Sequence, residues 1–162
     1  VITGGVITVS DKGSRGQRED VSGREVARML ADLDIRVTDY EIVPDEKEII
    51  REKIREYTDI KRLDVVVTTG GTGVSPRDVT PDATIEILDR ELPGMAEAMR
   101  GESMKKTPHA MISRAVAGIR GHSLVINLPG SPKAARENLA VVLPALKHTI
   151  EKARGDESDC GG

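Results

Sequence analysis

Six consecutive residues, Thr68-Thr69-Gly70-Gly71-Thr72-Gly73, combine three glycines with three hydroxyls, and Asp78-Val79-Thr80-Pro81 follows shortly after. Glycine lets the main chain turn through φ > 0 and brings its N–H groups close to a ligand, so a loop of this make-up can cradle phosphate oxygens. A carboxylate beside such a cradle, Asp78, is unfavourable unless a divalent cation lies between the two. That points to Mg²⁺ with a nucleotide or a phosphorylated substrate. Two familiar phosphate motifs do not fit: the loop has no Gly-Lys-Ser/Thr ending, and Gly71-x-Gly73 lacks the third glycine of a dinucleotide fingerprint. Turn chemistry alone is the structural alternative for a Gly/Thr-rich loop.

The elements that must position this loop alternate between strand and helix, which predicts an α/β layered domain. Val6 to Ser10 reads as a first strand. Ser22-x-x-Glu25 reads as a capping box before a helix carrying Val26, Leu30 and Leu33 on one face. Ile35 to Val43 returns as a strand, and Asp45-x-x-Glu48 is expected to cap a helix with the stripe Ile50, Ile54 and Tyr57. Leu63 to Thr68 is apolar without alternation, the pattern of a strand buried on both faces. Thr80-Pro81 and Thr107-Pro108 each pair a hydroxyl at N-cap with proline at N1, and Met95 to Lys106 is a further helix. Ala115 to Arg120 and Ser123 to Leu128 form a hairpin about Gly121-His122, which would make the sheet mixed. Ser131-Pro132 starts a last helix along Ala135, Leu139, Val142, Leu146 and Ile150, with a kink expected at Pro144 and disorder from about Gly155.

Loops that leave parallel strands converge on one edge of the sheet. Ser10-Asp11-Lys12, Pro44-Asp45-Glu46, Thr69 to Asp78 and Asn127 to Ser131 all leave predicted strand ends, so Asp45 and Asp78 are expected to meet near two glycine-bearing loops. This set suits metal-assisted phosphoryl or nucleotidyl transfer. It does not suit acyl transfer, because His109, His122 and His148 lie outside these loops and no Ser-His pair presents itself. For Asp45 the alternative is a plain N-cap. Asp78, two residues before Thr80, fits a capping role less naturally.

Composition narrows the partners. The chain has 162 residues, enough for one domain, and a net charge of −3. With no Trp or Phe and only two tyrosines, it has little to stack on bases, so nucleic acid is not an expected partner. The single cysteine, Cys160, makes a cytoplasmic setting the default, and the opening Val1 to Val9 alternates like a strand rather than a signal peptide or membrane span.

Taken together, these motifs resemble the MoaB/Mog family of molybdopterin-binding proteins, which includes the G domains of the plant and animal cofactor-insertion proteins. The resemblance spans essentially the whole chain. It rests on Ser10-Asp11-Lys12 with Gly16, Pro44-Asp45-Glu46, Thr68 to Gly73, Arg77 to Thr84, Pro93-Gly94, Ser113-Arg114 and Asn127-Leu128-Pro129-Gly130. It implies a three-layer α/β/α domain with a mostly parallel mixed sheet over residues 1–154, with 155–162 as a tail. It also implies transfer of AMP from Mg-ATP to the terminal phosphate of molybdopterin, releasing pyrophosphate. Asp45 and Asp78 fall on the family's catalytic, magnesium-holding aspartates. Substrate contacts are implied at Ser10, Thr69, Gly70, Gly71, Thr72 and Gly73, and also at Ser103, Ser113, Asn127, Pro129 and Gly130. A homotrimer or hexamer and a downstream metal-insertion partner follow from the same resemblance. The loop Gly73-Val74-Ser75-Pro76-Arg77 and the short C-terminal region are closer to the compact MoaB-type branch than to Mog-type chains.

Two other functions compete with the transferase. A molybdopterin carrier or scaffold would gain little from two carboxylates aimed at an anionic ligand. A nucleotide hydrolase would need a positioned water, to which no residue points.

Overall fold

Val65, Val66 and Val67 are all fully buried, yet they feed two different cores. Val65 and Val67 pack with Val26, Leu30, Leu139 and Leu146, whereas Val66 packs with Ile50, Ile54 and Tyr57. Successive strand side chains point to opposite faces, so a strand apolar at every position has to be covered on both sides.

The computed structural model, which describes residues 1–157, achieves this with one sheet between two helix layers. In chain order the elements begin with β1 (Ile2–Val9), α1 (Asp11–Ser14), α2 (Val21–Asp32), β2 (Ile35–Val43), α3 (Lys47–Arg55) and β3 (Val65–Thr69). They continue with α4 (Thr80–Ile85), β4 (Arg90–Glu91), α5 (Pro93–Met104), β5 (Ala117–Arg120), β6 (Ser123–Leu128) and α6 (Pro132–Ala153). A π-helical turn, Glu56–Ile60, follows α3 and buries Tyr57, and a 3-10 turn, Pro108–Ile112, follows α5. Strand order is β2-β1-β3-β6-β5-β4. Strands β1, β2, β3 and β6 run parallel, while the β5–β6 and β4–β5 pairs are antiparallel, giving the expected mixed sheet. Residues of α2, α5 and α6 build the first core and those of α3 and α4 the second.

Register decides where the loops emerge. Thr8 pairs with Thr69, Thr69 with Leu128, and Val9 with Val43. The chain therefore leaves β1, β2, β3 and β6 at one level, and the four candidate loops open on the same rim.

Several local expectations are corrected. Asp20 rather than Ser22 caps α2, accepting from Gly23 N, and the Ser22 hydroxyl donates instead to Gly130 O at 2.5 Å. Glu46 stands at the N-cap of α3 with no side-chain capping bond, so Asp45 is not a cap. Thr80 does not cap α4 either; its hydroxyl donates to Gly70 O at 2.9 Å. The two-residue β4, too short to carry a periodic signal, has no counterpart among the expected elements. Pro93 opens α5 two residues ahead of the expected start, and α6 continues through Pro144 as one element. Thr107 and Ser131 do cap as expected, each accepting from a main-chain N–H of the following turn. Gly155 N and Asp156 N donate to α6 carbonyls. The expectations for Cys160 and for the last five residues of the tail lie outside the described residues. Among the described residues no helix is long and apolar enough to cross a membrane.

Candidate active site

The glycine loop is held by its neighbours rather than by its own turn. Gly70 has φ 102°, and a Cβ there would sit 2.3 Å from Val9 O; Gly71 has φ 69°, with Thr80 Oγ1 2.4 Å from the same point. Side chains rarely adopt such φ values, so both positions call for glycine. Gly70 N donates to Leu128 O at 3.0 Å, Thr80 N to Gly71 O at 3.1 Å, and Thr69 Oγ1 to Pro129 O at 2.7 Å. The loop after β3 is thus stitched to the loop after β6 on one side and to α4 on the other.

Two carboxylates face its two ends. A methyl group built on Gly71 would lie 3.2 Å from Asp45 Oδ1, and one built on Gly73 would lie 2.9 Å from Asp78 Oδ2. Asp45 Oδ2 accepts from Asp11 N at 2.9 Å and Asp78 Oδ2 from Ser75 N at 3.0 Å. The second oxygen of each accepts no hydrogen bond among the described residues. Burial pushes the Asp45 carboxyl above the usual carboxylate range, and the charges of Asp11 and Asp78 add to the rise while the Asp11 N–H opposes it. Asp11 moves the other way, held low by the Arg77 guanidinium, which also reaches Glu46 at 3.0 Å.

A cleft of about 700 Å³ opens over this rim. It brings together Asp45 and Asp78, together with Ser10, Thr69, Gly70, Gly71 and Gly130. The remaining predicted contacts go elsewhere. Thr72, Gly73, Ser103, Ser113 and Pro129 line a second, smaller cavity of about 240 Å³ on the far side of the loop. Asn127 reaches neither cavity. It is fully buried, its amide donating to Thr68 and Thr84 hydroxyls at 2.9 and 3.1 Å and its oxygen accepting from Val116 N. Here Asn127 cross-links β6, β3, α4 and the chain entering β5.

Some site residues were missed. Asp20 lines the large cleft, its carboxylate accepting from Thr8 Oγ1 at 2.6 Å, from Gly23 N at 2.9 Å and from the Tyr40 hydroxyl. Burial and that hydrogen bond push the Tyr40 hydroxyl above its usual range, so it stays a donor. Lys12 and Arg18 also line the large cleft, and neither makes an ion pair among the described residues. Lys106, His109 and Asn138 line the small cavity, so one histidine does stand near serines. Lys12 stands in the Ser10-Asp11-Lys12 motif without an assigned contact, and Asn138 carries no sequence signal. Arg114 clamps the loop from below, donating to Gly73 O at 2.8 Å and Asp78 O at 2.6 Å while its fork grips Asp82 at 3.0 and 3.1 Å.

Comparison with known proteins identifies the family. A sequence-family profile described as a probable molybdopterin binding domain matches residues 5–148. A molybdopterin adenylyltransferase of Helicobacter pylori strain J99 is 43% identical over 94% of this chain and 88% of its own length. Gephyrin of Dictyostelium discoideum is 47% identical over 90% of this chain, which corresponds to 22% of that longer protein. Among solved structures, the molybdopterin biosynthesis enzyme MoaB from Thermus thermophilus superposes with a TM-score of 0.91 at 49% identity, covering 96% of this chain and 98% of that one. The tungsten cofactor synthesizing protein MoaB from Pyrococcus furiosus gives a TM-score of 0.84 at 40% identity, covering 94% and 97%. With family profile, sequence identity and fold in agreement, this chain belongs to the molybdopterin-binding family of cofactor-biosynthesis proteins.

Proposed function

We propose that the protein is a molybdopterin adenylyltransferase, moving AMP from ATP to the terminal phosphate of molybdopterin. The observation that carries this reading is the pair of carboxylates facing opposite ends of one glycine loop, each with an oxygen left free. A carrier has no use for that arrangement. The large cleft has room for the nucleotide and the smaller, cation-bearing cavity for the pterin phosphate, so the two reacting phosphates meet across Gly71 to Gly73. A phosphate monoester has its second pKa near ~6, so at neutral pH it attacks the α-phosphorus without a general base. One P–O bond forms to the pterin phosphate as the bond to the β-phosphate breaks and pyrophosphate leaves. Loop amides stabilise charge moving onto the phosphate oxygens, and Lys12 and Arg18 face the cleft into which the leaving group departs.

Magnesium fits the donors present. Among the described residues no cluster of three or more His, Cys, Asp and Glu could hold a metal unaided. Mg²⁺ is commonly held by one or two carboxylates plus substrate phosphates, which Asp78 and Asp45 provide for. Bound there, the ion would supply positive charge to the triphosphate. We place the enzyme in the cytoplasm as a homotrimer or hexamer that passes its product to a metal-insertion protein. Exposed Met111 and Ile112 supply apolar surface for assembly.

The test is direct: incubate the protein with molybdopterin, ATP and Mg²⁺, and quantify pyrophosphate and adenylylated pterin. Equal yields of both are expected. Pterin bound without pyrophosphate release would favour the carrier.

A further inference from the structure

Helix α6 buries Ala135, Leu139 and Val142 against the sheet, and the same face carries a polar residue, Asn138, that is only 5% exposed. A buried amide is costly unless it is hydrogen-bonded. The partner here is Ser103 at the end of α5, whose Oγ accepts from Asn138 Nδ2 at 2.8 Å, and both residues line the small cavity.

A serine hydroxyl has one proton to give and two lone pairs to receive. The Asn138 N–H fills a lone pair, and Ser103 Oγ donates to no group among the described residues. Its main chain is fixed as well, because Ser103 O accepts from both Lys106 N and Thr107 N. The Lys106–Glu137 ion pair at 2.9 Å ties the end of α5 to the helix residue next to Asn138. Rotation of the hydroxyl is the remaining freedom, and the amide sets it.

We propose that Asn138 is a positioning residue, orienting Ser103 so that its proton is offered to a phosphate oxygen of the pterin substrate. The proposal rests on the transferase reading above and adds a residue that acts through another.

The test is a double-substitution cycle of Asn138→Leu and Ser103→Ala, with pterin varied at saturating ATP and thermal melts recorded in parallel. Each single variant should raise KM for pterin about tenfold, the size of one hydrogen bond to a charged group, with kcat within about twofold. The double variant should be no worse than Ser103→Ala. Effects that multiply, or an unchanged KM in Asn138→Leu, overturn the proposal. If Asn138→Leu does not fold, Asn138→Asp keeps the size but takes the Ser103 proton, and an unchanged KM there is equally fatal. Should wild-type protein show no transfer, the transferase reading fails alone, and pterin Kd across the same variants decides this one.

Discussion

The main-chain N–H of Asp11 donates to Asp45 Oδ2 at 2.9 Å, and the main-chain N–H of Asp45 donates back to Asp11 Oδ1 at 3.0 Å. This reciprocal pair locks the loop after β1 to the loop after β2. Asp45 is placed by another strand's loop and not by its own helix. Asp11→Ala breaks one half of the lock and leaves Arg77 with Glu46 as its remaining partner. We expect kcat to fall about 10- to 100-fold, as misplaced groups typically cost, with pterin KM little changed. Asp11→Asn keeps an accepting oxygen and should recover most of the loss; equal kcat for wild type and Asp11→Ala would show that the lock does not matter.

Asp45 carries a cost in stability that its charge explains. Its folded pKa is raised by burial and by Asp11 and Asp78, above the ordinary value of 3.8. The ionised form therefore destabilises the fold at pH above the raised value, and that penalty vanishes as pH falls through it toward the ordinary one. Asp45→Asn keeps the acceptor for Asp11 N but removes the charge. Calorimetry without magnesium should show a Tm a few degrees higher than wild type at neutral pH, with the gain disappearing near pH ~4, while adenylyl transfer is lost.

Gly71 combines φ 69° with Thr80 Oγ1 2.4 Å from the position of a Cβ. Gly71→Ala should cost about 1–3 kcal/mol in urea unfolding and abolish turnover, because the loop would have to leave Thr80 and the cleft together. Wild-type stability would contradict the loop geometry.

Arg114 touches carbonyls of both Gly73 and Asp78 and grips Asp82 with a planar fork that lysine cannot reproduce. Arg114→Lys should speed hydrogen exchange of the amides between residues 73 and 79 and raise KM for ATP. Unchanged exchange would mean the loop is held by Gly70 and Thr80 alone.

Much of this fold was legible because the apolar runs of β3 and β6 and the stripes of α2, α3 and α6 leave few alternatives. The glycine loop was legible from its residue types, and the meeting of Asp45 and Asp78 from the rule that parallel strands share an edge. Hydrogen-bond destinations were not. Ser22, Asp45 and Thr80 all match capping patterns, yet each is drawn to a tertiary partner that local sequence does not encode. Asn127 follows a motif in sequence, but register turns its side chain into the core between β3 and α4. Two cavities instead of one, with Asn138 reaching the smaller from α6, depend on packing between elements far apart in the chain.

The most direct test of the central claim is a single-turnover reaction with ATP labelled at the α-phosphate, comparing wild type with Asp78→Asn after pterin binding has been measured for both. If the paired carboxylates drive adenylyl transfer, label appears in the pterin with wild type. With Asp78→Asn it falls by at least about 100-fold while pterin Kd stays within about threefold. Label transfer at the wild-type rate in Asp78→Asn would contradict the account.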